Sequence, residues 1–496
     1  MSYEYLLSLG RELQLVTDAS ALLGWDQEVL MPSKGVAFRA EQMAWFSGYL
    51  HERFTSPKVG DWLTAAEEGA ASSEDALMRA NLREWRHQYD RATCLPKKLV
   101  EEFAESTALA KAAWAGARQK SDFSLFAPHL EKLVSLSREH AERWGYEEHL
   151  YDALLDQFER GATTRRLSTT LGSLRESLLP VVLEATAQRP LDRTKFTAHY
   201  PKEKQAAFNR EVAEAIGFDF GAGRIDTAVH PFCSGMAPFD TRLTTRYDDG
   251  DFLGSLFGVL HEAGHGLYEQ GLEKEQRGQP VGVAVSLGVH ESQSRLWENH
   301  VGRSRAFWEK WLPRAAEYFP NLAGVTLDEM YEAVNQAELS HIRVEADEVT
   351  YDLHILLRFE MEREIFSGNL AIKDVPAEWN RRFESLFGLE VESDAQGCLQ
   401  DIHWSIGIFG YFPTYSLGNI NAAHLVKAAR QQDPALAAQM DKADYCGLLN
   451  WMRTRIHQPG SLYLPDDLVT LAAGSPATAD ALVEHLRSRY IRNGGA

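Results

Sequence analysis

The sequence contains no long hydrophobic run. Its 496 residues include no stretch of about 18 consecutive apolar residues, the minimum for a membrane-spanning helix. Glu4, Arg11 and Glu12 interrupt the first turns of the chain, which therefore lack the apolar core of a secretory signal. We expect a soluble, cytoplasmic protein with no membrane partner.

Cysteine is scarce, and its spacing excludes two common uses. The four cysteines are far apart and form no Cys-x-x-Cys pair, which argues against a disulfide framework or a cysteine zinc site. We expect reduced core thiols at Cys94, Cys233, Cys398 and Cys446.

Basic charge is deficient. The chain has 51 basic against 71 acidic residues, a net charge of −20, and no basic cluster offsets this excess. Such a surface repels phosphate backbones, so nucleic acid is not an expected partner. A substrate with a terminal carboxylate would need local arginines at the site that binds it.

Linkers, repeats and strand signals are also few. No Pro-, Gly- or Ser-rich segment divides the chain, so we predict one catalytic domain over residues 1–496 rather than the three or so that length suggests. Apolar residues make up 44% of the chain, enough for a large core. The fold class is predicted to be all-α, because i, i+3, i+4 apolar spacing recurs in residues 95–120, 130–143, 164–187, 204–216, 328–367 and 434–455.

The best strand signal lies just before a strongly apolar helix. Residues 239–247, with β-branched residues between aromatic ends, predict a short strand or hairpin. An edge there would be able to pair with an extended peptide.

The most informative feature that is present is the run HEAGH at residues 261–265. On a helix, His261 and His265 lie one turn apart on the same face and can share a metal ion, while Glu262 can hold a metal-bound water without being a ligand. The flanks predict a buried helix for which Asp249, Gly250 and Asp251 offer an N-cap, which carries an apolar stripe and ends near Gly271. This pattern is typical of zinc hydrolases.

A catalytic zinc normally needs a third protein ligand. Glu269 lies eight residues beyond His261, about 12 Å along the helix axis, so it is excluded as a ligand. Tyr268 occupies the position where the metzincin extension would have glycine, which excludes that subclass. A second helix beginning near residue 290 offers Glu291, with His290 as its main competitor, and spacing alone does not decide between them.

Ordered motifs along nearly the whole chain resemble the thermostable carboxypeptidase Taq family of zinc metallocarboxypeptidases. They are WDQ at 25–27 with MP at 31–32, GFD at 217–219 with HPF at 230–232, DTRLT at 240–244, the HEAGH helix, HESQ at 290–293, IRVEAD at 342–347 and GCLQDIHW at 397–404. The resemblance implies that Glu291 is the third ligand.

The same resemblance implies a fold, an activity and an assembly. It implies a saddle-like, mainly helical fold similar to neurolysin and angiotensin-converting enzyme, with two helical lobes flanking a deep groove. It implies the release of C-terminal residues from peptides with broad preference, one zinc ion per subunit with cobalt as a substitute, and a homodimer.

Catalytic roles follow as hypotheses. Glu262 is expected to take a proton from a metal-activated water and return it to the leaving amine. By similarity to the converting enzyme, His403, Tyr411 and Tyr415 are candidate oxyanion donors, although they also fit core packing of a Tyr-rich loop.

A carboxypeptidase also needs a cation for the substrate's terminal carboxylate, and arginine suits this role. Arg343 is the first candidate, with Arg242 and Arg246 behind it. An alternative for Arg343 is an ion network with its acidic neighbours on one helix face. Asp240 is expected to orient a loop, and His230 to shape the groove.

Two other functions remain open on the sequence. An oligopeptidase or endopeptidase on the same scaffold would share the metal helix and differ in carboxylate recognition. A non-catalytic peptide-binding protein is the third possibility, although it would not need Glu262.

Overall fold

The computed structural model describes residues 1–71, 73–188 and 193–491. It is mostly helical, which confirms the predicted fold class. The elements in chain order are α1 (Ser2–Val29), α2 (Val36–Phe54), α3 (Pro57–Ala70), α4 (Ala76–Thr93), α5 (Lys97–Lys120), α6 (Ala127–Trp144), α7 (Leu150–Leu155), α8 (Thr164–Thr186), α9 (Lys202–Ala215), β1 (Gly223–Thr227), β2 (Cys233–Ala237), β3 (Asp240–Thr245), α10 (Phe252–Gly271), α11 (Leu287–Arg295), α12 (Arg305–Tyr318), α13 (Leu327–Val334), α14 (Tyr351–Ser367), α15 (Val375–Phe387), α16 (Pro413–Gln432), α17 (Pro434–Met440), α18 (Cys446–Met452), α19 (Pro465–Ala473) and α20 (Ala479–Tyr490).

Two long helices expected from the sequence are each interrupted. Residues 328–367 divide into α13 and α14, with a short helical turn at Arg343–Glu345 between them. Residues 434–455 divide into α17 and α18, and a wide helical turn, Arg453–His457, follows. Apolar spacing continues through both segments, so periodicity alone missed the breaks.

The described residues form two compact units. The first comprises the described residues within 1–92, 191–335 and 421–477, and the second comprises the described residues within 93–190, 336–420 and 478–496. Each unit is assembled from segments that are distant in sequence. A single catalytic domain over the whole chain stays a prediction.

The small sheet lies in the first unit in the order β1-β3-β2. Strand β3 confirms the strand predicted near residue 240, and it is parallel to β1 and antiparallel to β2. Because β3 has a neighbour on both sides, the expected pairing of a peptide with that strand is wrong. Strand β2 is an edge of the sheet instead.

Helix α10 is anchored at both ends as its flanks predict. The Asp251 side chain accepts a hydrogen bond from the Gly254 N–H at 3.1 Å, which caps the first turn. The helix ends at Gly271, where a Cβ would lie 2.4 Å from Nδ1 of His457. Leu260 and Leu267 of its apolar stripe are fully buried in the core of the first unit. Burial of such side chains stabilises the fold by about 1.5–3 kcal/mol each.

Helix α11 packs along α10. Ser286 caps its first turn by accepting a hydrogen bond from the Val289 N–H at 3.1 Å. The backbone then widens into a π-helical turn over Leu296–Val301, a feature often found at functional sites. Among the described residues, no helix is long and apolar enough to cross a membrane.

Candidate metal centre and active site

Three potential metal ligands converge between α10 and α11. Nε2 of His261 lies 3.7 Å from Oε2 of Glu291, and Nε2 of His265 lies 3.4 Å from the same oxygen. The three donor atoms lie within 4.8 Å of one another. The structure thus brings together two histidines one turn apart on α10 and a glutamate from α11.

These three side chains fit a zinc ion. Imidazole nitrogen and carboxylate oxygen bind zinc at about 2.0–2.2 Å, so ligand atoms around a tetrahedral ion stand about 3.3 Å apart. The separations of 3.4 and 3.7 Å from Oε2 of Glu291 are close to that value. The donor set of two histidines and one glutamate is that of several catalytic zinc sites.

The Glu291 carboxylate is held from its other side. Arg295 donates to Oε1 at 2.7 Å, and the Ser294 hydroxyl donates to Oε2 at 3.0 Å. Burial raises the pKa of Glu291, but Arg295 and the two histidines outweigh it and bring the pKa well below its usual value. Glu291 is therefore ionised and oriented before any metal binds.

Glu298 supports His261 and was missed by the sequence argument. Its Oε2 lies 2.9 Å from Nδ1 of His261. Burial lowers the pKa of His261, yet the carboxylates of Glu291 and Glu298 raise it to about 9. Metal binding therefore displaces a proton here. Its spacing could have indicated this role, since Glu298 follows Glu291 by two helical turns and so lies on the same side of the helix.

His290 and Glu269, both considered as ligands, lie behind His265. Nδ1 of His290 is 2.6 Å from Nδ1 of His265, and its Nε2 is 2.8 Å from Oε1 of Glu269. Burial is the largest cause that lowers the pKa of His265 to about 3, so its ring is neutral. Glu291, rather than His290, shares the metal-facing side with the two histidines.

Glu262 lies between the two histidines in sequence and is only 6% exposed. Burial raises the pKa of its carboxyl to about 7, with His261 opposing that shift and Glu291 adding to it. A carboxyl with a pKa near neutrality can both accept and release a proton under ordinary conditions. This property matches the role expected of Glu262.

Strand β2 runs beside α10 and adds a thiol to the site. Burial and the charges of Glu269 and Glu262 raise the pKa of Cys233 well above its usual value, so the thiol stays protonated. At Gly235, a Cβ would lie 2.4 Å from Oε2 of Glu269. The sequence pointed to no role for either residue near the metal centre.

The first unit also contains the other predicted substrate-binding residues, Asp240, Arg242, Arg246 and His230. Arg242 makes two bonds to Asp240, at 2.9 and 3.0 Å, and its guanidinium lies 4.4 Å from the ring centre of Trp25. Arg246 and His230 are exposed. Of the two secondary arginine candidates, Arg242 is therefore already engaged by a carboxylate.

Arg343 is buried in the second unit and is not part of an ion network with its acidic sequence neighbours. Its Nε and Nη2 each lie 2.9 Å from Oδ1 of Asp401, and its Nη1 donates to the Tyr351 hydroxyl at 2.8 Å. Arg358 contacts the other oxygen of Asp401. Despite its burial, Asp401 keeps a pKa lowered by the two arginines.

His403, Tyr411 and Tyr415 form a cluster in the second unit. Nε2 of His403 lies 3.3 Å from the Tyr415 hydroxyl, and the Tyr411 ring centre is 5.4 Å from those of both other residues. Burial lowers the pKa of His403 to about 3, so its imidazole is neutral. The three predicted donors are thus neighbours.

A buried glutamate, also missed from the sequence, holds the loop that carries this cluster. Oε2 of Glu362 accepts hydrogen bonds from the Tyr151 hydroxyl at 2.5 Å and the Gly410 N–H at 2.8 Å, and Oε1 accepts one from Trp404 at 2.8 Å. Gly410 has a φ of +89°, which favours glycine. Glu362 therefore fixes both ends of the segment between His403 and Tyr411.

Comparison with known proteins identifies the family. The profile described as carboxypeptidase Taq (M32) metallopeptidase matches residues 5–490. Thermostable carboxypeptidase 1 of Thermus thermophilus is 42% identical over 99% of this chain and 98% of its own length, and carboxypeptidase 1 of Bacillus subtilis is 36% identical over 96% and 95%. The crystal structure of the M32 carboxypeptidase from Deinococcus radiodurans R1 is 37% identical, with a TM-score of 0.94 over 99% of this chain and 98% of that one. As its motifs predict, the chain therefore belongs to the carboxypeptidase Taq (M32) family and is a metallocarboxypeptidase.

Proposed function

We propose that this metallocarboxypeptidase uses one zinc ion, held by His261, His265 and Glu291, to release C-terminal residues from peptides with broad preference. The observation that carries the proposal is the convergence of two imidazole nitrogens and one carboxylate oxygen beside the buried Glu262. Cobalt accepts the same nitrogen and oxygen donors and is the expected substitute.

When bound, the ion supplies Lewis acidity, which lowers the pKa of a water molecule towards neutrality and polarises the scissile carbonyl. Glu262 accepts a proton from the water as the water oxygen bonds to the carbonyl carbon. The same carboxyl then delivers that proton to the leaving nitrogen as the C–N bond breaks. One water is consumed, and Glu262 returns to its ionised state. Its pKa of about 7 suits both transfers.

We propose that His403, Tyr411 and Tyr415 donate hydrogen bonds to the oxyanion that forms at the scissile carbonyl. Two observations support this role. Tyr415 and Tyr411 carry hydroxyl donors in one cluster, and the neutral His403 makes a 3.3 Å contact with Tyr415 that helps to orient its hydroxyl. Glu362 holds the loop that presents them.

Arg343 is our first candidate for binding the terminal carboxylate of the substrate. Asp401 contacts Nε and Nη2 of its guanidinium and Tyr351 contacts Nη1, and together they fix its orientation. A fixed planar guanidinium suits recognition of a planar carboxylate. The second candidates are Arg246, which is exposed, and Arg242, which is paired with Asp240. His230 is proposed to shape the groove.

Mass spectrometry of a defined peptide incubated with the zinc-loaded enzyme tests this function. The peptide is supplied with a free C-terminus and, as a matched substrate, with a C-terminal amide. We expect a ladder of C-terminally shortened products from the free acid and little product from the amide. Equal cleavage of both forms at an internal bond would establish an endopeptidase. Absence of any cleavage would favour the non-catalytic peptide-binding alternative.

Two further proposals concern the state of the protein in the cell. We propose a homodimer on the resemblance to the family, and light scattering coupled to gel filtration tests it through the mass in solution. We propose a cytoplasmic location, in line with four scattered cysteines that suit a reducing compartment. Fractionation of cells that express the protein tests the location.

A further inference from the structure

The two metal-facing histidines are supported in different ways. Nδ1 of His261 meets a carboxylate directly, with Oε2 of Glu298 at 2.9 Å. Nδ1 of His265 meets the Nδ1 of another histidine, His290, at 2.6 Å. His265 is therefore linked to a carboxylate only through His290, whose Nε2 lies 2.8 Å from Oε1 of Glu269.

We infer that His290 and Glu269 are positioning residues that act in series, fixing the tautomer and ring orientation of His265 and thereby strengthening metal binding. The inference rests on the metal site of the proposed function. It assigns a role to two residues that the catalytic scheme does not use.

The hydrogen atoms along this series have one consistent arrangement. Nε2 of His265 faces the shared oxygen of Glu291 at 3.4 Å and must keep its lone pair for a metal, so its hydrogen is on Nδ1. That N–H donates to Nδ1 of His290, which therefore carries its own hydrogen on Nε2. The second N–H donates to Glu269. The Glu269 carboxylate thereby sets the tautomer of both rings.

The geometry of α10 explains why a second histidine is inserted. Glu269 follows His265 by one turn on the same face of α10, and His290 reaches across from α11 to bond both. The planes of the His290 and His265 rings differ by only 25°, with centres 4.5 Å apart. The His290 ring also contacts the fully buried ring of Tyr268, and the two ring centres are 5.4 Å apart.

Strand β2 leaves room for this arrangement. A Cβ at Gly235 would lie 2.4 Å from Oε2 of Glu269 and 2.5 Å from its Cγ, so any side chain there would displace the carboxylate. Gly235→Ala therefore perturbs the series without changing either of its polar members. It offers a test that is independent of substitutions at the metal centre.

The test compares zinc affinity, measured by competition with a chelator, across single and double variants. His290→Phe keeps an aromatic ring but leaves the His265 N–H without an acceptor, and we expect zinc affinity to fall roughly 10–100-fold. Glu269→Gln and Gly235→Ala should each weaken zinc binding by roughly tenfold. Glu275→Gln, a substitution at an exposed carboxylate beyond the helix, is the matched control and should leave affinity unchanged.

Three further readouts separate positioning from a general structural role. The melting temperature of the metal-free variants should match that of the metal-free wild type. The increase in melting temperature on zinc binding should be smaller in the variants than in the wild type. The visible absorption spectrum of the cobalt form should shift in His290→Phe. Because Glu269 acts only through His290, Glu269→Gln in the His290→Phe background should cost no further affinity.

Unchanged zinc affinity in Glu269→Gln and Gly235→Ala would overturn the inference, and these two variants decide it if His290→Phe does not fold. His261→Ala and Glu291→Ala distinguish this failure from failure of the proposed function. Should those two also bind zinc like the wild type, the metal site itself is misassigned. Should they lose zinc while the other variants keep it, only the series is wrong.

Discussion

Gly264 lies directly against the backbone of Ser294. A Cβ at Gly264 would stand 2.6 Å from Cα of Ser294 and 2.5 Å from the carbonyl oxygen of Gln293, closer than any side chain tolerates. This contact brings α10 and α11 together at the level of the metal ligands. The missing side chain therefore sets the distance between the two histidines of α10 and Glu291.

Gly264→Ala should separate α10 from α11 and weaken metal binding. The added methyl meets backbone, which cannot move aside, so we expect a loss of about 1–3 kcal/mol in the free energy of unfolding and at least about tenfold weaker zinc binding. Gly258→Ala is the matched control on the same helix, since a Cβ there meets only Oγ1 of Thr245 at 3.6 Å. Denaturant unfolding and chelator competition measure both. Equal behaviour of the two variants would contradict the role of this contact.

Glu262→Gln should keep zinc and lose activity. The amide retains the shape of the carboxyl but cannot accept the proton, so we expect kcat to fall by about 10²–10⁴-fold. Elemental analysis after dialysis measures the zinc content, and steady-state hydrolysis of a short peptide measures kcat. Normal zinc content with retained turnover would refute Glu262 as the general base. Glu275→Gln serves as the control for loss of a carboxylate.

Arg343→Met should abolish preference for the free C-terminus. We expect KM for a free-acid peptide to rise roughly 10–100-fold, while the inhibition constant of its amide changes little, because only the acid offers the charge-assisted bond. Arg358→Met is the matched control, since it also removes a contact to Asp401 but leaves Arg343 in place. If both variants change KM alike, Arg343 acts through Asp401 and the carboxylate binds elsewhere.

Glu362→Gln should destabilise the protein in a pH-dependent way. In the wild type, burial raises the pKa of Glu362 from its ordinary 4.5 to about 7. A carboxyl with a raised folded-state pKa contributes stability that is fully present below 4.5 and is lost as pH rises through 7. The amide does not titrate, and its NH₂ group must face one of three donors, which costs about 1–3 kcal/mol.

The gap in unfolding free energy between wild type and Glu362→Gln should therefore be largest near pH 4.5 and narrow towards pH 7. Urea unfolding across this range measures the gap. Glu360→Gln is the control, since Glu360 pairs with Arg175 and Arg382 at a half-buried position and should change stability by about 1 kcal/mol or less. A gap that stays constant with pH would contradict the raised pKa.

Local features of the metal helix were predictable because they depend on neighbouring residues. Asp251 caps α10 and Gly271 ends it, as the flanking pattern indicates. Strand β3 was equally local, but its place at the centre of the sheet was not, since strands β1 and β2 carry no strong pattern of their own. The break between α13 and α14 was invisible because apolar spacing continues across it.

Contacts between distant segments were not predictable in the same way. The choice between Glu291 and His290 depends on how α11 is rotated against α10, which spacing does not specify. The alternative considered for Arg343 was an ion network with its acidic neighbours in sequence, yet its carboxylate partner is Asp401, 58 residues away. No periodic signal links two such positions.

The sequence by itself determined the family, the mainly helical fold and the metal chemistry, because a short motif on one helix and a set of ordered motifs carry them. Only the tertiary structure decided which groups surround that motif. It placed Glu298 against His261, inserted His290 between His265 and Glu269, and buried Glu262 so that its pKa rises to about 7. The burial and the electrostatic environment of a side chain depend on all the segments that pack around it, so they cannot be read from any single stretch of sequence.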